Sequence, residues 1–107
     1  MATLNVSDQD FDAKVLQSST PVLVDFFATW CGPCKLAEPV LEELSEVYKD
    51  KISIMKLDVD QSPVTSQKFG VMSIPTTILF KDAQELGRVV GFSGKMAFED
   101  LIKKGTG

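Results

Sequence analysis

A chain of 107 residues that is 44% apolar and 24% charged, with a net charge of −4 and no histidine, has the size and make-up of one globular domain spanning residues 1–107. Acids and bases are interspersed and there is no basic block, which argues against nucleic-acid or anionic-membrane partners. Without histidine, the commonest general base and metal ligand is missing, so any chemistry falls to carboxylates, lysines or thiols.

The first stretch, MATLNVSDQDFDAK, has neither a basic leader nor an apolar signal core, and a cytoplasmic location is expected. No apolar run reaches the roughly 18 residues of a membrane span. Ser7 with Asp10 reads as a capping box, and Phe11, Val15 and Leu16 then share one helical face. Ser18 to Pro21 is a break. Val22 to Ala28 is a continuous apolar run broken only by Asp25, the pattern of a central strand covered on both faces. A helix is predicted to start within Cys31 to Cys34 and to carry an apolar stripe of Leu36, Val40, Leu41, Leu44 and Val47, with Pro39 inside it. KISIMKLDVD is a second strand. SPVTSQKFG is a short helix opened by Pro63 and closed by Gly70. TTILFKDAQELGRVVGF is a hairpin turning at Asp82 to Gln84, and SGKMAFEDLIKK is a last helix with Met96, Phe98, Leu101 and Ile102 apolar. The order βαβαβαββα describes an α/β fold, a mixed central sheet with helices on both faces.

Both cysteines lie in WCGPC, at the end of the apolar run. A structural disulfide closing so short a loop contributes only about 2 kcal/mol, against roughly 3 for fifteen residues. A structural zinc ion wants four Cys or His ligands, and the chain has two. Two inert buried thiols fit poorly with Gly-Pro between them at a strand-to-helix turn, which places at least one near the surface. Redox chemistry fits better. Positions i and i+3 of a first helical turn share a face, so the two sulfurs can meet. Cys31 stands where unpaired N–H groups and the helix dipole favour a thiolate, which is the nucleophilic form. Pro33 suits the first turn, and Gly32 keeps bulk away from Cys31. Trp30 reads either as a platform for a substrate chain or as a ring packed on the rim of the core, two compatible roles.

Alternation puts Leu23, Asp25 and Phe27 on one strand face and Val22, Val24, Phe26 and Ala28 on the other. Both faces look buried, so the pKa of Asp25 is expected to rise. Lys56 shares an inward face with Ile52 and Ile54 and is a candidate partner for Asp25, either in a structural pair or with its ammonium reaching water. Because Asp25 lies six residues before Cys31, at the strand end where α/β sites form, it is also a candidate general base for the second thiol.

These segments resemble the thioredoxin family. FFATWCGPCK is similar to its active-site segment, SIPT at 73–76 to its cis-proline loop and VGF at 90–92 to the glycine loop beside it, and Asp25, Lys56 and Pro39 stand where the family has them. The resemblance covers essentially the whole chain. It implies the thioredoxin fold with Pro75 cis and facing the cysteines. It implies a protein-disulfide reductase and general electron donor without a cofactor of its own. Cys31 would attack a substrate disulfide and Cys34 resolve the mixed disulfide with help from Asp25, itself modulated by Lys56. A flavin-dependent reductase would restore the dithiol, and the protein would act as a monomer. The substrate segment would cross Trp30, Gly32, Pro33, Ile74, Pro75, Gly91 and Phe92, bonding to the backbone at Ile74. Three residues depart from the family pattern: Phe27 where a second Trp is common, Ala83 where the hairpin turn usually has Gly, implying a different turn, and a bulkier Phe92, which bears on partner preference. The competing readings are an oxidant or isomerase of the same fold, and a non-enzymatic clamp that uses the apolar rim.

Overall fold

The central strand of the molecule is the run that holds Asp25. In the computed structural model, which describes residues 3–106, β2 (Val22–Phe27) is flanked by β3 (Ser53–Asp58) in parallel and β4 (Thr76–Lys81) antiparallel. β1 (Leu4–Asn5) joins the outer edge of β3, and β5 (Gln84–Val90) that of β4, giving one sheet in the order β1-β3-β2-β4-β5. The helices are α1 (Gly32–Val47), α2 (Pro63–Lys68) and α3 (Lys95–Thr106). The expected mixed sheet and element order are both present. β1 is only two residues long, too short for alternation to mark.

The alternation along β2 divides the core. Val22, Val24 and Phe26 pack with Phe11, Val15, Met55 and Phe80 on one face. Leu23 packs on the other with Ala37, Leu41 and Leu44 of α1 and Phe98, Leu101 and Ile102 of α3. The first face is organised by three rings, Phe11, Phe69 and Phe80, with centroids 5.0–5.5 Å apart.

The N-terminal helical segment is shorter than the pattern predicts. It runs only from Asp12 to Leu16 and ends in an i→i+5 bond from Gln17 N–H to Asp12 O at 3.0 Å. Asp10 accepts from the Ser7 backbone N–H at 2.7 Å, one half of a capping box. Asp8 reaches across the fold instead. Its carboxylate accepts from the N–H groups of Val64 and Thr65 and from the Thr65 hydroxyl, capping α2 from 56 to 57 residues away. Burial pushes Asp8 up, but these bonds outweigh it and hold the carboxyl below its ordinary value.

Two expected stripes shift. In α1 the buried residues are Cys34, Ala37, Leu41, Leu44 and Ser45, while Leu36 and Val47 are about two-thirds exposed. The covered face follows the 3-4-3 spacing that begins at Cys34, and Leu36 falls one residue, about 100°, away from Ala37. Met96 likewise points to solvent, because α3 turns Phe98, Leu101, Ile102 and Gly105 inward. The hairpin is tighter than expected, with Asp82 and Ala83 alone between paired Lys81 and Gln84. Both have positive φ, +53° and +65°, so Ala83 does not change the turn but adopts the left-handed conformation a two-residue turn demands.

Candidate active site

Two connections converge at one end of the central strands. Phe26 pairs with Thr76, so the exit of β2 toward Cys31 lies beside the entry to β4, where the Ile74–Pro75 peptide is cis. Cys31 and Cys34 form a disulfide with their Cα atoms 5.3 Å apart. Cys31 is the N-cap of α1, and its Sγ accepts from the Cys34 N–H at 3.2 Å. A sulfur at this point faces the unpaired N–H groups and positive end of a sixteen-residue helix. Contrary to the expectation of a thiol near the surface, both cysteines are only 4% exposed in this oxidised form. Ala28, Phe27, Val59 and Ile74 cover them, and the Ile74 carbonyl oxygen lies 3.8 Å from Cys31 Sγ.

The other expected rim residues gather here. Trp30, Gly32 and Pro33 are exposed, Ile74 is half-buried, and Pro75 is buried behind it. Gly91, at φ +83°, donates its N–H to the Pro75 carbonyl at 2.7 Å, which ties the glycine loop to the cis-proline loop. Phe92 contributes less to the rim than its position suggests. Its ring stacks on Phe98 at 5.8 Å and packs on the core under α3.

Asp25 is 2% exposed, and its Oδ1 has no hydrogen-bond partner among the described residues. Opposite it across the sheet is Thr77, whose hydroxyl is also buried without a partner. Burial raises the Asp25 carboxyl to about 7; the charge of Lys56 opposes the shift and that of Glu38 adds to it. A cleft of about 340 Å³ is lined by Asp25, Phe27, Ala28, Thr29, Cys34, Lys35 and Glu38, so the carboxyl and the second thiol open onto one space.

Lys56 is not the bonded partner that its inward position suggests. It lies beside Asp25 in the β2–β3 register, but its ammonium passes over the Phe27 ring at 5.3 Å and ends 3.3 Å from Glu38 Oε2. The long stem lets the charge reach the edge of the cleft while the methylenes stay covered.

Three residues escaped the sequence reading. Glu38 stands four positions after Cys34 and therefore on its helix face, a spacing that was there to be read. Asp60 accepts the Trp30 indole N–H at 2.8 Å from a turn whose path no local pattern announces. Thr77 meets Asp25 only through sheet register. A larger concavity of about 480 Å³, bordered by Asp10, Lys14, Phe27, Lys56, Asp58 and Gln61, holds neither cysteine, and Lys14 and Asp10 pair with each other there at 2.9 Å.

Comparison with known proteins agrees with this geometry. A family model described as Thioredoxin matches residues 2–104. Thioredoxins of Staphylococcus aureus strains Mu50, MW2 and USA300 are each 54% identical over 104 residues, covering 97% of this chain and 98% of theirs. A dithiol pair at a helix start, joined in a disulfide beneath a cis-proline loop, in a chain matched along nearly its whole length, places the protein in the thioredoxin family of thiol–disulfide oxidoreductases.

Proposed function

We propose that the two thiols divide the work of reducing a protein disulfide. The Cys31 thiolate attacks one sulfur of the substrate bond, and the other leaves as a thiolate that takes a proton from solvent. Asp25 accepts the proton of Cys34, through water in the shared cleft. The Cys34 thiolate then attacks Cys31 Sγ, the second substrate sulfur leaves as a thiolate that takes up the proton held by Asp25, and the Cys31–Cys34 disulfide remains. The supporting observation is the asymmetry of the pair: Cys31 caps the helix, whereas Cys34 shares a cleft with a buried carboxyl whose pKa lies near neutrality. Lys56 modulates that carboxyl by its charge.

Trp30, Gly32, Pro33, Ile74, Gly91 and the exposed part of Phe92 form the docking surface for an extended substrate segment, with the buried Pro75 setting the loop that presents Ile74. Exposed apolar area beside the Ile74 backbone suits a catalyst that accepts many proteins. A flavin-dependent reductase returns electrons to the pair, and the protein acts as a single-domain monomer in the cytoplasm. Among the described residues no helix is long and apolar enough to cross a membrane. Reduction of insulin by dithiothreitol tests the whole reading. Wild type accelerates it and Cys31→Ser does not; no acceleration by wild type would instead favour a binding module that carries its cysteines passively.

A further inference from the structure

Asp25 and Lys56 are register partners on adjacent strands, yet the ammonium is bonded elsewhere. Its partner, Glu38, stands one helical turn after Cys34 and lines the same cleft as Cys34 and Asp25. The Lys56 side chain is only 20% exposed and that of Glu38 is 55% exposed, so the pair straddles the mouth of the cleft. The stem of Lys56 can carry its charge outward to Glu38, where it is bonded, or inward toward the Asp25 Oδ1, which has no hydrogen-bond partner among the described residues. Without Glu38, Asp25 is the carboxylate that remains among the described residues lining that cleft, while Asp58 borders the neighbouring concavity that Lys56 also lines.

We propose that Glu38 is a positioning residue for the dithiol reaction: it holds the Lys56 ammonium at the mouth of the cleft, away from Asp25, and so keeps the Asp25 carboxylate basic enough to take the Cys34 proton. The inference rests on Asp25 being that base. A carboxylate bonded to an ammonium is a weak base, and a thiol gives up its proton more readily to a carboxylate that burial has left unpaired. The groups facing Asp25 are few. β3 supplies Lys56, α1 supplies Cys34, Lys35 and Glu38, and β4 supplies the unpartnered Thr77 hydroxyl. Lys35 lines the same cleft and is exposed to solvent, which screens its charge.

Titration of the carboxyl carbons by NMR follows Asp25 in the oxidised protein, with Asp25→Asn identifying its signal. Glu38→Gln lowers the Asp25 midpoint by about half a unit or more. Glu38→Asp, which keeps the charge, stays near wild type. With Lys56→Met already in place, Glu38→Gln moves the midpoint by less than half as much. In parallel, the pH profile of mixed-disulfide resolution shifts downward in Glu38→Gln and loses its inflection in Asp25→Asn. A midpoint unmoved by Glu38→Gln, or moved equally with and without Lys56, overturns the role of Glu38. An inflection that survives Asp25→Asn overturns instead the assignment of Asp25 as the base, while the carboxyl titration still judges Glu38.

Discussion

The indole N–H of Trp30 donates to Asp60 at 2.8 Å, so the most exposed ring beside the cysteines is tethered to the turn between β3 and α2. The bond is solvent-facing and contributes less than about 1 kcal/mol to stability. Its effect is on the orientation of a 69%-exposed aromatic surface that would otherwise sample several rotamers. Asp60→Ala is expected to raise KM for protein disulfides about threefold, to leave reaction with a small disulfide unchanged, and to shift the fluorescence of the chain's one Trp. An equal loss with both substrate types would place Asp60 in the chemistry instead.

The cap position of Cys31 predicts unequal thiols. In the reduced protein near neutral pH, alkylation should reach Cys31 about tenfold or more faster than Cys34. Cys34→Ser should accumulate mixed disulfides with substrate and Cys31→Ser should accumulate none. Mass spectrometry of the modified peptides checks both, and equal alkylation rates reject the assignment.

Asp25 couples stability to pH. Its folded carboxyl is raised from 3.8 to about 7, so between those values the folded state holds the extra proton. The benefit is complete below the lower value, and stability falls as pH rises through the window to a floor above about 7. The whole change is on the order of 4 kcal/mol. Asp25→Asn removes the titration, and its urea midpoint should exceed that of wild type at pH values above the window and match it at the acid end. Insulin reduction by the same variant should slow. A variant less stable than wild type at high pH would show that the carboxylate is held as a paired structural charge.

At the hairpin tip, Ala83 occupies φ +65°. A Cβ there crowds the neighbouring carbonyl at a cost of about 1 kcal/mol, which glycine avoids. Ala83→Gly should therefore stabilise the fold by about 0.5 kcal/mol once the greater freedom of glycine in the unfolded chain is subtracted. Activity should not change, because all six residues of β4 separate this tip from the cis-proline loop. A lower urea midpoint would contradict the turn geometry.

The division of β2 into two faces, the start of α1 at the cysteines and the inward course of the second strand were all legible, because each depends on spacing within a few residues. So was the burial of Asp25, since a lone carboxylate inside an apolar run has few other outcomes. What the chain order hid is made by contacts between distant segments. Asp8 caps a helix that begins at Pro63, Asp60 reaches Trp30 from another turn, and Thr77 faces Asp25 across the sheet. For Lys56 the sequence shows the strand face and an outward course for the ammonium as one of two options, but not Glu38 as its counter-charge, because register fixes where a stem begins and not where a flexible ammonium ends.

Cys31 and Cys34 lie within one turn of one helix, and neither belongs to either of the two large apolar clusters. Opening their bond therefore severs no tie between separate parts of the molecule. A four-residue loop restrains the unfolded chain by only about 2 kcal/mol, so reduction costs the fold that share of its stability and oxidation restores it. A carrier built this way gives up a small, fixed share of its stability each time it is reduced and regains it each time it is oxidised, with both apolar clusters outside the exchange.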